Sequence, residues 1–444
     1  MIKLIYSYYN GLKKYLNNTL WIMGDKFIGL GLSFIVTVLL ARHLGPSDYG
    51  TYSYVMSMVS LFAVAGHMGL SGLVTRELVK NPKETGLILG TTLGLKFIGM
   101  VVGYIGLLIY AYLYEGFSSQ EFLLITIAGT TLLLSCTGII DYWFQSFVKA
   151  KYVSIASLTS LIISAMLKLA LIFMGLGLTY FVITNVIQSI VLGLLLIIFY
   201  KKVSTIPLKS WSFSKSKAIE LLSQSWLVFA GSIFAILNLK IDQVMLKWYQ
   251  GAEQVGIYAV AAQLSEAWYF IPSAIVASFF PKLIQLKNEN NAQYFLRLQQ
   301  LFSALFLVAF SVAIVVSLGG DLLIRTFFGV EYLASSDVLT IHIWAAIFIF
   351  MRALFSRWIL IENALVFSLI TQAFGALVNI LLNYFWINEY GVIGAAYATL
   401  ISYASSSFFA LIFYEKTRPI FWMMCKAMLL HSLIYKRPKN ETKS

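Results

Sequence analysis

Long apolar stretches alternate with short polar connections along almost the whole chain, and the apolar stretches show no strand-like alternation. Runs such as "GLLLIIFY" (Gly193 to Tyr200) are continuous. Many stretches reach ~20 residues, the length that crosses a hydrocarbon core as a helix. Lipid offers no partner to a free backbone amide, so each crossing is a helix unless the chain closes into a barrel. Barrel strands would instead show weak alternation over about ten residues. The pattern predicts an all-α polytopic membrane protein of about 12 transmembrane helices. Their expected spans are 18–41, 49–73, 86–113, 121–147, 152–174, 178–200, 221–246, 255–280, 299–318, 335–360, 363–387 and 391–414.

The polar connections carry a repeat. "LARHLGPSDYGTY" (Leu40 to Tyr52) returns as "LKWYQGAEQVGIY" (Leu246 to Tyr258), with Gly45, Gly50 and Tyr52 matched by Gly251, Gly256 and Tyr258. An even number of helices separates the copies, so both halves point the same way, a parallel repeat about an axis normal to the membrane. The expected organisation is an interfacial N-terminal helix at 1–17, a six-helix lobe at 18–200, a basic linker at 201–217, a second six-helix lobe at 218–414 and a basic tail at 415–444. Within the tail, "PIFWMMCKAMLLHSLIYKR" has the composition of a segment lying on the membrane surface.

Charge changes the picture in two ways. The chain is 59% hydrophobic and only 11% charged, with a net charge of +13. With the N-terminus cytoplasmic, 23 Lys and Arg fall in cytoplasmic loops and tails, and only Arg42, Lys247 and Arg325 face the other side. The positive-inside rule accounts for that asymmetry and puts both termini in the cytoplasm, so no nucleic-acid partner is called for. Cys136 and Cys425 are far apart in sequence, and His43, His67, His342 and His431 fit no metal-ligand spacing, so neither a disulfide framework, a metal site nor a bound cofactor is expected. No nucleotide-binding loop, nucleophile elbow or zinc-protease motif is present. The chain reads as a transporter and not an enzyme.

The second change concerns charges inside the spans. Lys26, Lys96, Lys168, Lys240, Arg352 and Arg357 are basic, and Asp25, Asp141, Asp242 and Glu266 are acidic. A charge near the bilayer centre costs roughly 2.5–3.5 kcal/mol, so it should face protein or water. Asp141 and Arg357 lie near span ends and reach the interface, and Lys168 partly so. Lys26 shares a helical face with Gly29, Ser33 and Thr37; Asn238 shares one with Asp242, and Gln263 with Glu266. These faces point to an aqueous cavity between the halves; structural ion pairing of Asp25 or Glu266 with a lysine is the alternative. Lys96 lies on a span written with Gly86, Gly90, Gly94, Gly99, Gly103 and Gly106, a pattern for close helix packing.

"LLARHLGPSDYGTYSYV" (Leu39 to Val55) resembles the first-loop signature of the polysaccharide transporter, or O-antigen flippase, family within the multidrug/oligosaccharidyl-lipid/polysaccharide exporter superfamily. "LNLKIDQVMLKWYQGAEQVGIYAVAAQLSE" (Leu237 to Glu266) resembles its seventh and eighth helices, and "IIDYWFQSFVKAKY" and "NILLNYFWINEYGVIGAAYATLIS" are similar to later connections. The resemblance implies two six-helix lobes around a central cavity. It implies transfer of a polyprenyl-diphosphate-linked oligosaccharide from the inner to the outer leaflet of the plasma membrane by alternating access. The implied partners are that lipid-linked sugar, the bilayer, H⁺ or Na⁺, and polysaccharide polymerase and glycosyltransferases. Lys26 matches an early first-helix position, and Lys240 and Asp242 match the seventh-helix motif. Arg352 enters the candidate substrate site on charge and depth alone, and Lys96 as a residue reaching the cavity edge. Asp242, Glu266 and Asp25 are the candidate ion-coupling residues. The rival is an ion-coupled multidrug exporter of the same superfamily, whose cationic cargoes would suit an acidic cavity better than this excess of Lys and Arg.

Overall fold

The structure, a computed structural model, describes residues 2–362 and 364–429, with side chains from Asn17 onward. The amphipathic face expected over 1–17 and the end of the basic tail therefore lie almost wholly outside the described residues. Among the described residues there are helices and turns and no strand. In chain order the helices are α1 (Ile2–His67), α2 (Leu70–Lys80), α3 (Thr85–Tyr114), α4 (Gln120–Leu134), α5 (Ile139–Ser146), α6 (Ala150–Phe173) and α7 (Leu178–Val203). They continue as α8 (Lys215–Gln250), α9 (Ala252–Glu266), α10 (Phe270–Glu289), α11 (Asn291–Phe327), α12 (Ser335–His342), α13 (Ala345–Ile361), α14 (Leu365–Ser407) and α15 (Arg418–Met428).

Ten stretches among the described residues are long and apolar enough to cross a membrane. Two are far longer than one crossing: Asn17–Lys80, of 64 residues, and Leu365–Ile412, of 48. Each covers two of the expected spans and is broken by a left-handed glycine, Gly45 (φ 72°) in α1 and Gly391 (φ 56°) in α14. The repeated motif has a backbone meaning here. Gly45 has φ 72° and ψ 172°, and Gly251, its partner in the second half, has φ 85° and ψ −180°. That region is open essentially to glycine alone. The two copies bend the chain by the same device, each seven residues before its tyrosine.

The chain divides into two compact units between Ile236 and Leu237, so the start of α8 belongs with the first unit. In that unit α1 packs on α3 and α6. One face of α3 presents Phe97, Ile98, Val102, Ile105 and Ile109, each at least half exposed, an apolar surface suited to lipid. Its glycine stripe serves two partners. A Cβ at Gly103 would lie 2.7 Å from the Phe62 carbonyl oxygen of α1, and one at Gly99 would meet the Ala65 carbonyl oxygen.

The first three glycines of the stripe hold the segment between α7 and α8. A Cβ at Gly86 would lie 2.7 Å from the Ser210 carbonyl oxygen, one at Gly90 2.5 Å from Ser212 N, and one at Gly94 2.7 Å from the Phe213 ring. The Ser212 amide donates to the Gly86 carbonyl (3.3 Å), and the Ser214 amide to Thr91 Oγ1 (3.1 Å). Lys217 then pairs with Glu77 of α2 at 3.1 Å and with Glu220 at 2.9 Å. The connecting segment is thus strapped to the first unit along the α3 groove.

In the second unit Phe302 and Leu305 of α11, Phe350 and Leu354 of α13, and Leu411 form a continuous core. Ile420, Met424 and Ala427 of α15 complete it, while Trp422 on the opposite face is 61% exposed. The segment expected at the membrane surface therefore has one face built into the protein.

Candidate functional site

Two side-chain groups gather all the candidate residues of the second unit but Arg352. Asp242 projects from α8 and is 1% exposed. Its carboxylate accepts hydrogen bonds from Tyr258 Oη (2.8 Å), Thr399 Oγ1 (2.7 Å) and Asn383 Nδ2. Asn379, one turn before Asn383, stands 3.1 Å from it through Oδ1. Beside this group the Ser402 hydroxyl lies 2.6 Å from Asn238 Oδ1 and 2.8 Å from the Gly375 carbonyl oxygen. Asn379 Nδ2 and Asn383 Oδ1 are buried without a hydrogen-bond partner. A buried carboxylate satisfied only by neutral donors, with amide and hydroxyl oxygens around it, is a hard-oxygen environment of the kind that suits small cations.

The second group is an ion pair. Lys240 Nζ lies 3.7 Å from Glu266 Oε2, with side chains 21% and 25% exposed. A residue expected at the cargo site and one expected to couple ions therefore neutralise each other across α8 and α9. The ion-pair alternative is met here at Glu266. Arg352 sits apart from both groups. Its guanidinium donates to the Ser406 carbonyl (3.1 Å), a terminal carbonyl of α14, and lies 3.5 Å from Thr371 Oγ1. A cation there complements the C-terminal end of the helix dipole.

In the first unit Lys26 is exposed on α1. Neighbouring Asp25 points to a different side, where it lines a hollow of about 290 Å³ with Asn17, Leu20, Trp21, Gly24, Ile28 and Leu158. Lys96 is 4% exposed on α3. Its ammonium lies 5.7 Å from the centre of the Tyr142 ring. A Cβ at Gly138, in the tight turn Ser135–Gly138, would come within 3.1 Å of it. Lys96 thus belongs to the packed interior between α3 and the interrupted α4–α5 helix.

Sequence reasoning singled out Asn238 and Asp242 but missed Asn379, Asn383 and Thr399. Their signal was present as two asparagines four apart in "NILLN", an uncommon pair within an apolar run. Tyr258 was visible only as a repeated residue, with no chemistry attached.

Residues 15–287 match the family described as polysaccharide biosynthesis protein. The chain belongs to this family. Asp242, Tyr258, Lys26 and Lys240 fall inside the matched region, whereas Arg352, Asn383 and Thr399 lie beyond it. Among relatives, the probable low-salt glycan biosynthesis flippase Agl15 of Haloferax volcanii is 22% identical over 386 residues, covering 85% of this chain and 78% of its own. The probable flippase AglR of the same organism is 26% identical over 257 residues, 56% of this chain and 52% of its own. Among solved structures, the lipid II flippase MurJ in its inward closed conformation superposes with a TM-score of 0.67 at 17% identity, over 96% of this chain and 94% of its own. An inward-facing MATE multidrug transporter of the MOP superfamily also gives 0.67, at 14% identity, over 91% and 96%. At these identities the likeness is one of fold, that of a multi-pass helical membrane protein.

Proposed function

We propose that the protein is a flippase that carries a polyprenyl-diphosphate-linked oligosaccharide from the inner to the outer leaflet of the plasma membrane by alternating access. The family match carries this reading, and the two relatives named as flippases support it. A diphosphate and several sugars cannot enter hydrocarbon unaided, whereas the polyprenyl tail can remain there. Lys26, exposed on the α1 face that also carries Ser33 and Thr37, suits the role of diphosphate anchor. Polysaccharide polymerase and glycosyltransferases would act after and before this step. Deleting the gene should make the completed lipid-linked unit accumulate on the cytoplasmic face, measured by extraction and protease-free glycan labelling from either side. Accumulation of incomplete units instead would place the protein in synthesis and reject flipping.

The reading includes a topology in which both termini and the linker at 201–217 face the cytoplasm, supported by the distribution of Lys and Arg. A reporter active only outside the cytoplasm should stay silent when fused at Lys209; activity there would overturn the orientation.

Asp242 with Tyr258, Thr399, Asn379 and Asn383 supports a coupling role for H⁺ or Na⁺, since occupancy of a buried carboxylate by a cation would favour one conformation over another. Asp25 is a second candidate, on a different face of the first unit. The multidrug reading has one observation on its side, the equal TM-score of the MATE transporter. The basic residues inside the spans favour an anionic cargo over a cationic one.

A further inference from the structure

The repeat that aligns Tyr52 with Tyr258 gives these two tyrosines different hydrogen-bond partners. In the second unit Tyr258 donates to the Asp242 carboxylate. The same offset of 206 residues carries Val36 onto Asp242, so the first unit has no acid at the equivalent place. Val36 is itself buried, at 8% exposure. Tyr52 is joined instead to Asn185, whose Nδ2 donates to Tyr52 Oη at 2.9 Å. The other end of that amide, Oδ1, accepts from Lys168 Nζ at 2.9 Å. The chain of bonds runs from a repeated tyrosine through an amide to a lysine.

Lys168 is 8% exposed. It stands on α6 with Asn185 as its hydrogen-bond partner, and among the described residues it makes no ion pair. An ammonium has three donors, and this one uses a single one. Snorkelling to the interface would have left the charge in water; the hydrogen bond to Asn185 holds it inside. A buried cation without a counter-charge is costly, and binding an anion removes that cost.

The neighbouring donors suit such a ligand. Asn185 spends its Nδ2 on Tyr52 and its Oδ1 on Lys168, so the Tyr52 hydroxyl proton has only a long contact, 3.3 Å to the same Oδ1. Two donors, the Lys168 ammonium and the Tyr52 phenol, are thereby held against one amide. Tyr52, Asn185 and neighbouring Met56 are all partly exposed, which leaves a way in. We propose that Lys168, Tyr52 and Asn185 form an anion-binding site in the first unit, the charge-inverted counterpart of the Asp242 group in the second. Its ligand accepts hydrogen bonds from an ammonium and a phenol: a free halide, or a phosphate oxygen of the lipid-linked cargo. Only the second source rests on the flippase reading; the site itself does not.

Thermal melting of the full-length protein in nanodiscs tests this. Chloride is compared with gluconate at fixed sodium and ionic strength, and polyprenyl diphosphate with the phosphate-free polyprenol. The wild type should gain a few degrees from at least one of the two anions over its control. A gain from chloride alone assigns a halide site, and one from the diphosphate alone assigns the cargo phosphate. Lys168→Met should lose the gain and, without anion, melt no lower than the wild type, because it removes an unpaired buried charge. Lys168→Arg should retain the gain. Tyr52→Phe keeps the ring and removes one donor, so it should reduce the gain, and it serves if Lys168→Met does not fold. No gain in the wild type, or an undiminished gain in Lys168→Met or Tyr52→Phe, would overturn the proposal.

Discussion

Lys26→Ala protein, present in the membrane at wild-type abundance, should export surface glycan about 10- to 100-fold more slowly than the wild type. That range is what losing one hydrogen bond to a charged group is worth, roughly 1.5–3 kcal/mol. The expectation follows from an ammonium exposed on α1, on a face that otherwise carries Gly29, Ser33 and Thr37. Lysine serves phosphate largely as a point charge, so Lys26→Arg should keep most of the activity. If Lys26 instead balances Asp25, Lys26→Ala should lower abundance, and adding Asp25→Asn should restore it. Normal export by well-expressed Lys26→Ala would remove Lys26 from the cargo site.

A second large effect is expected at Asp242. Replacement by alanine removes the carboxylate that accepts from Tyr258 Oη, Thr399 Oγ1 and Asn383 Nδ2, leaving Tyr258 and Thr399 only each other and Asn383 only Asn379 Oδ1. Each hydrogen bond lost to a charged group is worth about 1.5–3 kcal/mol. Asp242→Ala should therefore fail to accumulate, since a loss of that size exceeds what cellular quality control tolerates. Asp242→Asn is the sharper probe, because it keeps the shape and one carbonyl acceptor but removes the charge. It should accumulate near normally and transport at a rate that no longer responds to an imposed Na⁺ or H⁺ gradient, measured as flipping in proteoliposomes. A gradient response equal to that of the wild type would show that Asp242 is structural.

The helical class, the repeat and the basic linker could be read directly because each is a local pattern: hydrophobic runs, matched glycines, a cluster of lysines. Gly45 and Gly251 are the clearest case, since only glycine takes the backbone conformation both adopt. What could not be read was which charges meet. Lys240 and Glu266 are 26 positions apart on consecutive helices, and a sequence places each on a face without saying what that face touches. Asp242 and Asn383 are separated by 141 residues, so their contact depends on how α14 packs, which local pattern does not encode. Arg352 is a further case. Depth and charge mark it as a candidate ligand residue, and its own helix does not say that one of its donors meets the last turn of α14 at Ser406.

The strap along α3 bears on how the chain is made. Glu77 of α2 has a side chain only 8% exposed, and its ammonium partner, Lys217, is encoded 140 residues later. Gly86, Gly90 and Gly94 likewise await Ser210, Ser212 and Phe213. When α7 has left the ribosome, all seven helices before α8 exist, yet α3 still has an open groove and the Glu77 carboxylate of α2, in contact with Arg76 and Asn81, still lacks its Lys217 partner. The first unit is finished only after the start of α8 has been translated. The polar segment between the halves is thus the last piece of the first half to be delivered, and the order of synthesis makes the opening turns of α8 close one folding unit before the rest of that helix begins the next.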